Sequence, residues 1–158
     1  MKPDQQNLKA SILDRLVDDE PGIHHESVQY RLFSIGQIKD AIVRDLENLL
    51  NTKRQIMLPS ATYKEVNNSL LVYGLRDFTS QNPANPRVRQ QLRLDMEKTI
   101  SRFEPRLRNV TVHVETATRK DRSLRFRITG VLVVEPIREP VSFDTYFDVT
   151  RREYVISR

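Results

Sequence analysis

The hydrophobic period of this chain changes once, at Phe103-Glu104-Pro105-Arg106, and that change constrains the fold more than any other feature. Before it, apolar residues recur at three- and four-residue steps, as on one face of a helix; after it they alternate, as on one face of a strand. Val88, Leu92, Met96, Thr99 and Phe103, with Ile100 beside them, mark a helix from about Pro86 to Ser101. Asn85 is its expected N-cap and Pro86 its first residue, where a missing N–H costs nothing. Pro105 ends it, and Glu104 is expected to be extended already, because the residue before a proline is pushed out of the helical region. Three alternating runs follow: Val110, Val112 and Val114; then Leu124, Phe126, Ile128, Gly130, Leu132 and Val134; then Val141, Phe143, Thr145 and Phe147. Tyr154-Val155-Ile156 reads as a short fourth strand.

Upstream, Ile12, Leu13, Leu16 and Val17 suit one side of a short helix, stopped by Asp18-Asp19-Glu20-Pro21-Gly22. The clearest helix follows, with Ile35, Ile38, Ile42, Leu46 and Leu49 in a stripe that Leu50 widens, and Lys39, Arg44, Asp45 and Glu47 off it. Ser34 is placed to cap it. Asn51-Thr52 with Lys53 and Arg54 closes it, since cations suit a helix C-terminus. Pro59 rules out a long regular element over residues 55–68. Ser69 to Tyr73 reads equally as a helical turn or a strand, and Gln81 to Pro86 as a turn-rich connector. The fold expected is α+β: a single domain over residues 1–158, its N-terminal helices packed on a C-terminal antiparallel sheet of three to four strands, with residues 1–10 a flexible leader.

A chain of 158 residues buries enough surface for a core without staples. It has no cysteine, so disulfides, thiolate metal sites and cysteine nucleophiles are excluded. No stretch approaches the roughly 20 apolar residues that span a bilayer, and Met1 to Ala10 has no apolar signal core. A cytosolic protein is expected. The net charge of +5 favours anionic partners, but acids are interspersed throughout, which reads as a mixed, solvated surface.

Few residues are arranged for chemistry. The histidines are the adjacent His24-His25 and the lone His113, with no carboxylate at a ligand spacing. The 4 glycines are unclustered and flank no serine, so a nucleophile elbow and a phosphate-cradling loop are both missing. No catalytic, cofactor or metal residue is therefore assigned. One enzyme reading is worth arguing, a lysozyme-like peptidoglycan hydrolase with Glu104 as acid and Asp144 or Asp148 as its partner. Against it, Arg106 would lower the pKa that a general acid needs raised, and a Glu–Arg pair ordering the corner explains the residues better. A nucleic-acid reading would use Arg119, Lys120, Arg122, Arg125 and Arg127 around a hairpin turn. No exposed aromatic alternates with them, so a solvated hairpin or a dock for an acidic protein is preferred.

Several segments, taken in order, carry a resemblance. They are Leu13-Asp14-Arg15-Leu16; Asp45-Leu46-Glu47-Asn48-Leu49-Leu50-Asn51-Thr52; Tyr73-Gly74-Leu75-Arg76-Asp77-Phe78; Ile100 with Phe103-Glu104-Pro105-Arg106-Leu107; Phe126, Ile128, Gly130 and Leu132; and Val141, Phe143, Asp144, Thr145 and Asp148. Together they resemble the TssE family of type VI secretion baseplate subunits, relatives of the small baseplate wedge protein of contractile-tailed phages. Arg76 stands where proline is expected in the family. The resemblance implies a structural protein that links the wedge core to the first sheath layer and helps nucleate the sheath. Glu104, Pro105 and Arg106 map onto the family's assembly signature. The expected partners are other wedge subunits and the contractile sheath, with no small-molecule substrate, nucleic acid, cofactor or direct membrane insertion. The expected location is cytoplasmic, in a baseplate docked at the inner membrane. Tyr154, Val155 and Ile156, and the strand from Val141 to Asp148, are the candidate open edges for backbone pairing with a partner. A lysozyme label attaches to phage relatives, and no residue here supports transferring it.

Overall fold

A computed structural model describes residues 8–9, 11–16, 22, 32–78, 80–82, 85–115, 124–148 and 150–157. The chain divides into two compact units, Met1–Arg44 and Asp45–Arg158. Helix α2 (Ile35–Asn51) contributes residues to both.

In the first unit, β1 (Leu8–Lys9) pairs antiparallel with β2 (Leu32–Phe33), and Leu8, inside the segment read as a leader, is fully buried. The short α1 (Ile12–Leu16) starts at Ser11, whose hydroxyl accepts from the Asp14 N–H at 3.2 Å and donates to its carboxylate at 2.6 Å. Arg44 pairs with the same carboxylate. The α2 N-terminus is a reciprocal capping box. The Gln37 N–H donates to Ser34 Oγ at 3.3 Å and the Ser34 N–H to Gln37 Oε1 at 2.8 Å. Ile38, Ala41 and Ile42 are buried, as the stripe requires.

The second unit holds the rest of α2, α3 (Lys64–Asn67), a 3₁₀ turn at Leu70–Val72, α4 (Pro86–Phe103) and a sheet. The undecided Ser69 to Tyr73 segment is that turn, capped by the Ser69 hydroxyl on the Leu71 N–H. Leu46, Leu49 and Leu50 complete the buried stripe of α2. Helix α2 ends at Asn51, as expected, and beyond it Lys53 pairs with Asp77 at 3.0 Å and Arg54 with Asp95 at 2.7 Å, where Lys53 bridges to Leu75. Asn85 caps α4 through the Arg87 N–H at 2.9 Å with Pro86 at the first turn, as the sequence predicts.

The sheet is four-stranded and antiparallel, in the order β3 (Leu107–Glu115), β4 (Arg125–Val134), β5 (Ile137–Asp148) and β6 (Glu153–Ser157). The architecture is thus the expected α+β, helices first and sheet last. Phe126, Ile128, Leu132, Phe143, Thr145 and Ile156 are buried, and α4, which buries Leu92, Met96 and Ile100, packs against β3. One departure from strict alternation is physical. Leu107 and Val112 are both buried although one is odd and the other even. A bulge between Arg108 and Thr111, with Asn109 at φ 52°, inserts the extra residue that restores the face. Gly130 lies opposite, where a Cβ would stand 3.1 Å from the Arg108 carbonyl.

Candidate partner-docking site

The corner between α4 and β3 is built by one arginine. Its Nε and one terminal nitrogen donate to the two Glu104 oxygens at 2.7 and 2.6 Å, and its backbone N–H reaches Glu104 Oε1 at 3.2 Å. The Arg106 guanidinium also donates to Asp45 at 2.5 Å. Glu104 is 3% exposed, so the two charges close on each other and the carboxylate does not face outward. Burial pushes the Arg106 pKa down, but its hydrogen bonds to Glu104 and Asp45 outweigh that and raise it above the ordinary value. Such a bidentate pair is rigid as well as charged. Pro105, between the two, is exposed. Phe103 is anchored edge-on to Tyr73, ring centroids 5.1 Å apart. Burial raises the Tyr73 pKa, helped by the Asp45 and Glu104 charges.

The sheet edges are the second element. At β6, the Asn51 side-chain amide accepts from the Tyr154 N–H at 2.7 Å and donates to its carbonyl at 2.9 Å, while Glu47 accepts from the Ile156 N–H at 3.0 Å. Glu47 and Asn51 lie one helical turn apart, roughly 6 Å along the axis, close to the roughly 6.6 Å between alternate strand residues. The helix thereby stands in for a fifth strand over Tyr154 to Ile156. At β3, Glu97 of α4 accepts from the Val112 N–H at 2.8 Å. Helix side chains thus meet both outer strands, β6 at Tyr154 and Ile156 and β3 at Val112.

Strand β5 differs. Only Asp144 to Asp148 pair with β6, so Ile137 to Phe143 has no strand neighbour on that side among the described residues. Because the Tyr154 and Ile156 groups point away from β5, the backbone groups of Asp144 and Tyr146 point toward β6. By the period of two, those of Arg138, Pro140 and Ser142 face the same side, where no strand pairs with them among the described residues. Proline there removes no ladder bond, which is where an edge tolerates it.

The residues of the competing readings lie elsewhere. Asp144 pairs with Arg127 at 2.7 Å, and Asp148 closes the turn to β6 by accepting from the Thr150 and Arg151 N–H groups. Neither approaches Glu104 in register, since the start of β3 at Leu107 aligns with Leu132 and Glu139, whereas Asp144 aligns with Arg127 and His113. Glu139 to Asp144 spans roughly 17 Å at about 3.3 Å per residue, beyond the roughly 5–9.5 Å that a carboxylate pair needs. Arg127 is held between Asp144 and Glu115, and Arg119, Lys120 and Arg122, like His24 and His25, lie outside the described residues. Among the described residues no metal-binding group of three gathers, and no helix is long and apolar enough to cross a membrane. Sequence reasoning missed Asp45, Glu47 and Asn51 as contact residues. All three lie in the Asp45 to Thr52 segment that carries the resemblance, but off the apolar stripe, where a polar side chain reads as solvated.

A model of the family described as baseplate wedge protein gp25 matches residues 36–137. No curated protein sequence matches the chain. A solved structure described as the baseplate complex from the type VI secretion system contains a chain with TM-score 0.50 at 17% identity, covering 72% of this chain and 97% of that one. At that identity the likeness speaks for the fold. The family match runs from the start of α2 through the Glu104–Arg106 corner to the end of the β3–β4 pair, and on it this chain belongs to the baseplate wedge protein gp25 family.

Proposed function

We propose that this chain is a structural subunit of a type VI secretion baseplate, joining the wedge core to the first sheath layer and helping to nucleate the sheath. The observation that carries the sheath contact is the backbone edge of β5 at Arg138 to Ser142, which has no strand neighbour among the described residues, in a sheet whose outer strands are met by helix side chains at Val112 and at Tyr154 to Ile156. An edge of this kind accepts a partner strand through main-chain hydrogen bonds, and Pro140 sets the register because it can only accept. Sheath docking is accordingly assigned to β5, with Tyr154 to Ile156 holding that strand in position. The wedge contact is assigned to Glu104, Pro105 and Arg106. There the Glu104–Arg106–Asp45 group, with Glu104 buried, fixes the shape of the corner, and Pro105 with the exposed fifth of Arg106 meets the partner. A baseplate docked on the cytoplasmic side of the inner membrane is the location that follows. Family membership and the far-apart carboxylates favour assembly over hydrolysis.

The test is carried out in cells that lack the chain and carry a fluorescent sheath. Wild type restores sheaths that extend and contract. Ser142→Pro, which removes an outward N–H, leaves wedge complexes intact but abolishes extended sheaths. Pro105→Asp, which alters the exposed corner without touching the ion pairs, abolishes both. Normal sheath dynamics with both variants, each shown to be folded by circular dichroism, overturns these assignments. Alanine at Glu104 is a poor probe, because stripping one partner from a buried pair costs about 3–5 kcal/mol of stability.

A further inference from the structure

One apolar surface is left over after the corner and the sheet edge. Residues 55–74 form a loop whose two ends are pinned together. The Arg54 N–H donates to the Leu75 carbonyl at 2.7 Å, and the Leu75 N–H to the Thr52 carbonyl at 2.9 Å. Asp95 holds both sides, taking Arg54 at 2.7 Å and the Arg76 N–H at 3.0 Å. Inside the loop, the Asn67 amide donates to the carbonyls of Ser60 and Tyr63 at 2.8 and 2.9 Å, so the backbone is locked. Yet its large side chains point out. Ile56 is 97% exposed, Met57 86%, Leu70 79% and Tyr63 62%, with Leu58 and Leu71 also exposed. In an ordered loop of a folded domain, so many exposed large apolar side chains within one twenty-residue segment point to a binding surface.

We propose that this loop is a second docking surface, which takes an apolar, uncharged face of another protein subunit in the same assembly. Charge selects that occupant. From Gln55 to Tyr73 the only charged residues are the adjacent, opposite Lys64 and Glu65, in a chain that is 30% charged. A charged partner face would lose hydration there and meet no counter-charge. An anionic membrane surface would call for a basic rim, which the loop lacks. Met, Tyr, Ile and Leu with charge depleted is the composition of an interface centre. The proposal rests on the baseplate reading, and adds to it a contact separate from β5 and from the corner.

Ile56→Asp/Met57→Asp is a clean probe, because side chains this exposed contribute little to folding. The full-length protein, wild type and variant, is titrated into the purified wedge subunits of its own baseplate, and each is also studied alone. The expected result is that wild type binds, that the variant keeps its melting temperature within a few degrees, and that its Kd rises at least about tenfold. Wild type alone is expected to be monomeric by light scattering and not to float with phosphatidylserine–phosphatidylcholine vesicles. Equal binding by the variant overturns this proposal and leaves the baseplate reading standing. A wild-type dimer that the variant dissolves assigns the loop to a second copy, and flotation that the variant abolishes assigns it to lipid; either overturns it. Failure of wild type itself to bind the wedge subunits is instead the failure of the baseplate reading.

Discussion

Tyr154 shows how much one residue carries. Its backbone is held at both ends by Asn51, and its ring sits 5.0 Å from that of Phe147 and 6.3 Å from that of Phe126. Burial, aided by the charges of Asp77 and Asp95, pushes its hydroxyl from the ordinary 10.0 up to about 12. The folded state thus keeps the proton longer than the unfolded one. The contribution to stability is whole below pH 10 and is lost as pH rises toward 12, by about 2–3 kcal/mol in all. Chemical denaturation across this range should show the decline, and Tyr154→Phe should flatten it and remove the last step of the tyrosinate absorbance titration. A slope unchanged in the variant would assign the effect to other groups. Arg106 behaves differently. Its carboxylate partners raise an already high pKa, so its charge and the shape of the corner persist over the whole working range of pH.

At the scale of elements, the loop closure at Gly74 is the tightest joint. Its φ is 97°, and a Cβ would lie 2.3 Å from the Thr52 carbonyl oxygen, the atom that accepts the Leu75 N–H. Gly74→Ala therefore meets backbone strain and a backbone clash together. A loss of about 2–3 kcal/mol in urea unfolding is expected, with faster amide exchange at Arg54 and Leu75. Loss of stability without that local exchange would place the strain elsewhere. The same scale shows how much of the sequence was legible. Both long helices, their caps at Ser34 and Asn85, and the four strands of the C-terminal sheet were visible as periods and capping residues, because those signals are local; the two-residue β1 and β2 are too short to show a period. The bulge at Arg108 to Thr111 was not, because Val110, Val112 and Val114 alternate without showing that Leu107 joins the face of Val112 through an inserted residue. The exposure of residues 55–71 was equally hidden, since apolar residues in an irregular stretch have no period that tells a core from an open surface.

At the scale of the whole molecule, sheet register separates the readings of function. Glu104 and Asp144 sit at different ends of the strands, one closed by Arg106 and the other by Arg127. Purified protein is accordingly expected to release no muropeptides from peptidoglycan at acidic pH, even at high protein concentration. Release that Glu104→Gln abolishes would restore the hydrolase reading.

The corner at Phe103 to Arg106 shows where sequence ends and structure begins. A proline after a helical stripe and before an alternating one determines a helix stop, a strand start and the α+β order, because backbone sterics and hydrophobic period act over a few residues. The sequence also places Glu104 beside Arg106. That Glu104 is buried, that Asp45 from a distant helix completes the pair, and that Asn51 and Glu47 engage β6 were decided by tertiary structure alone. Those contacts join residues as far as 109 positions apart. Directional hydrogen bonds over such distances depend on where packing puts each element, and no local pattern records that.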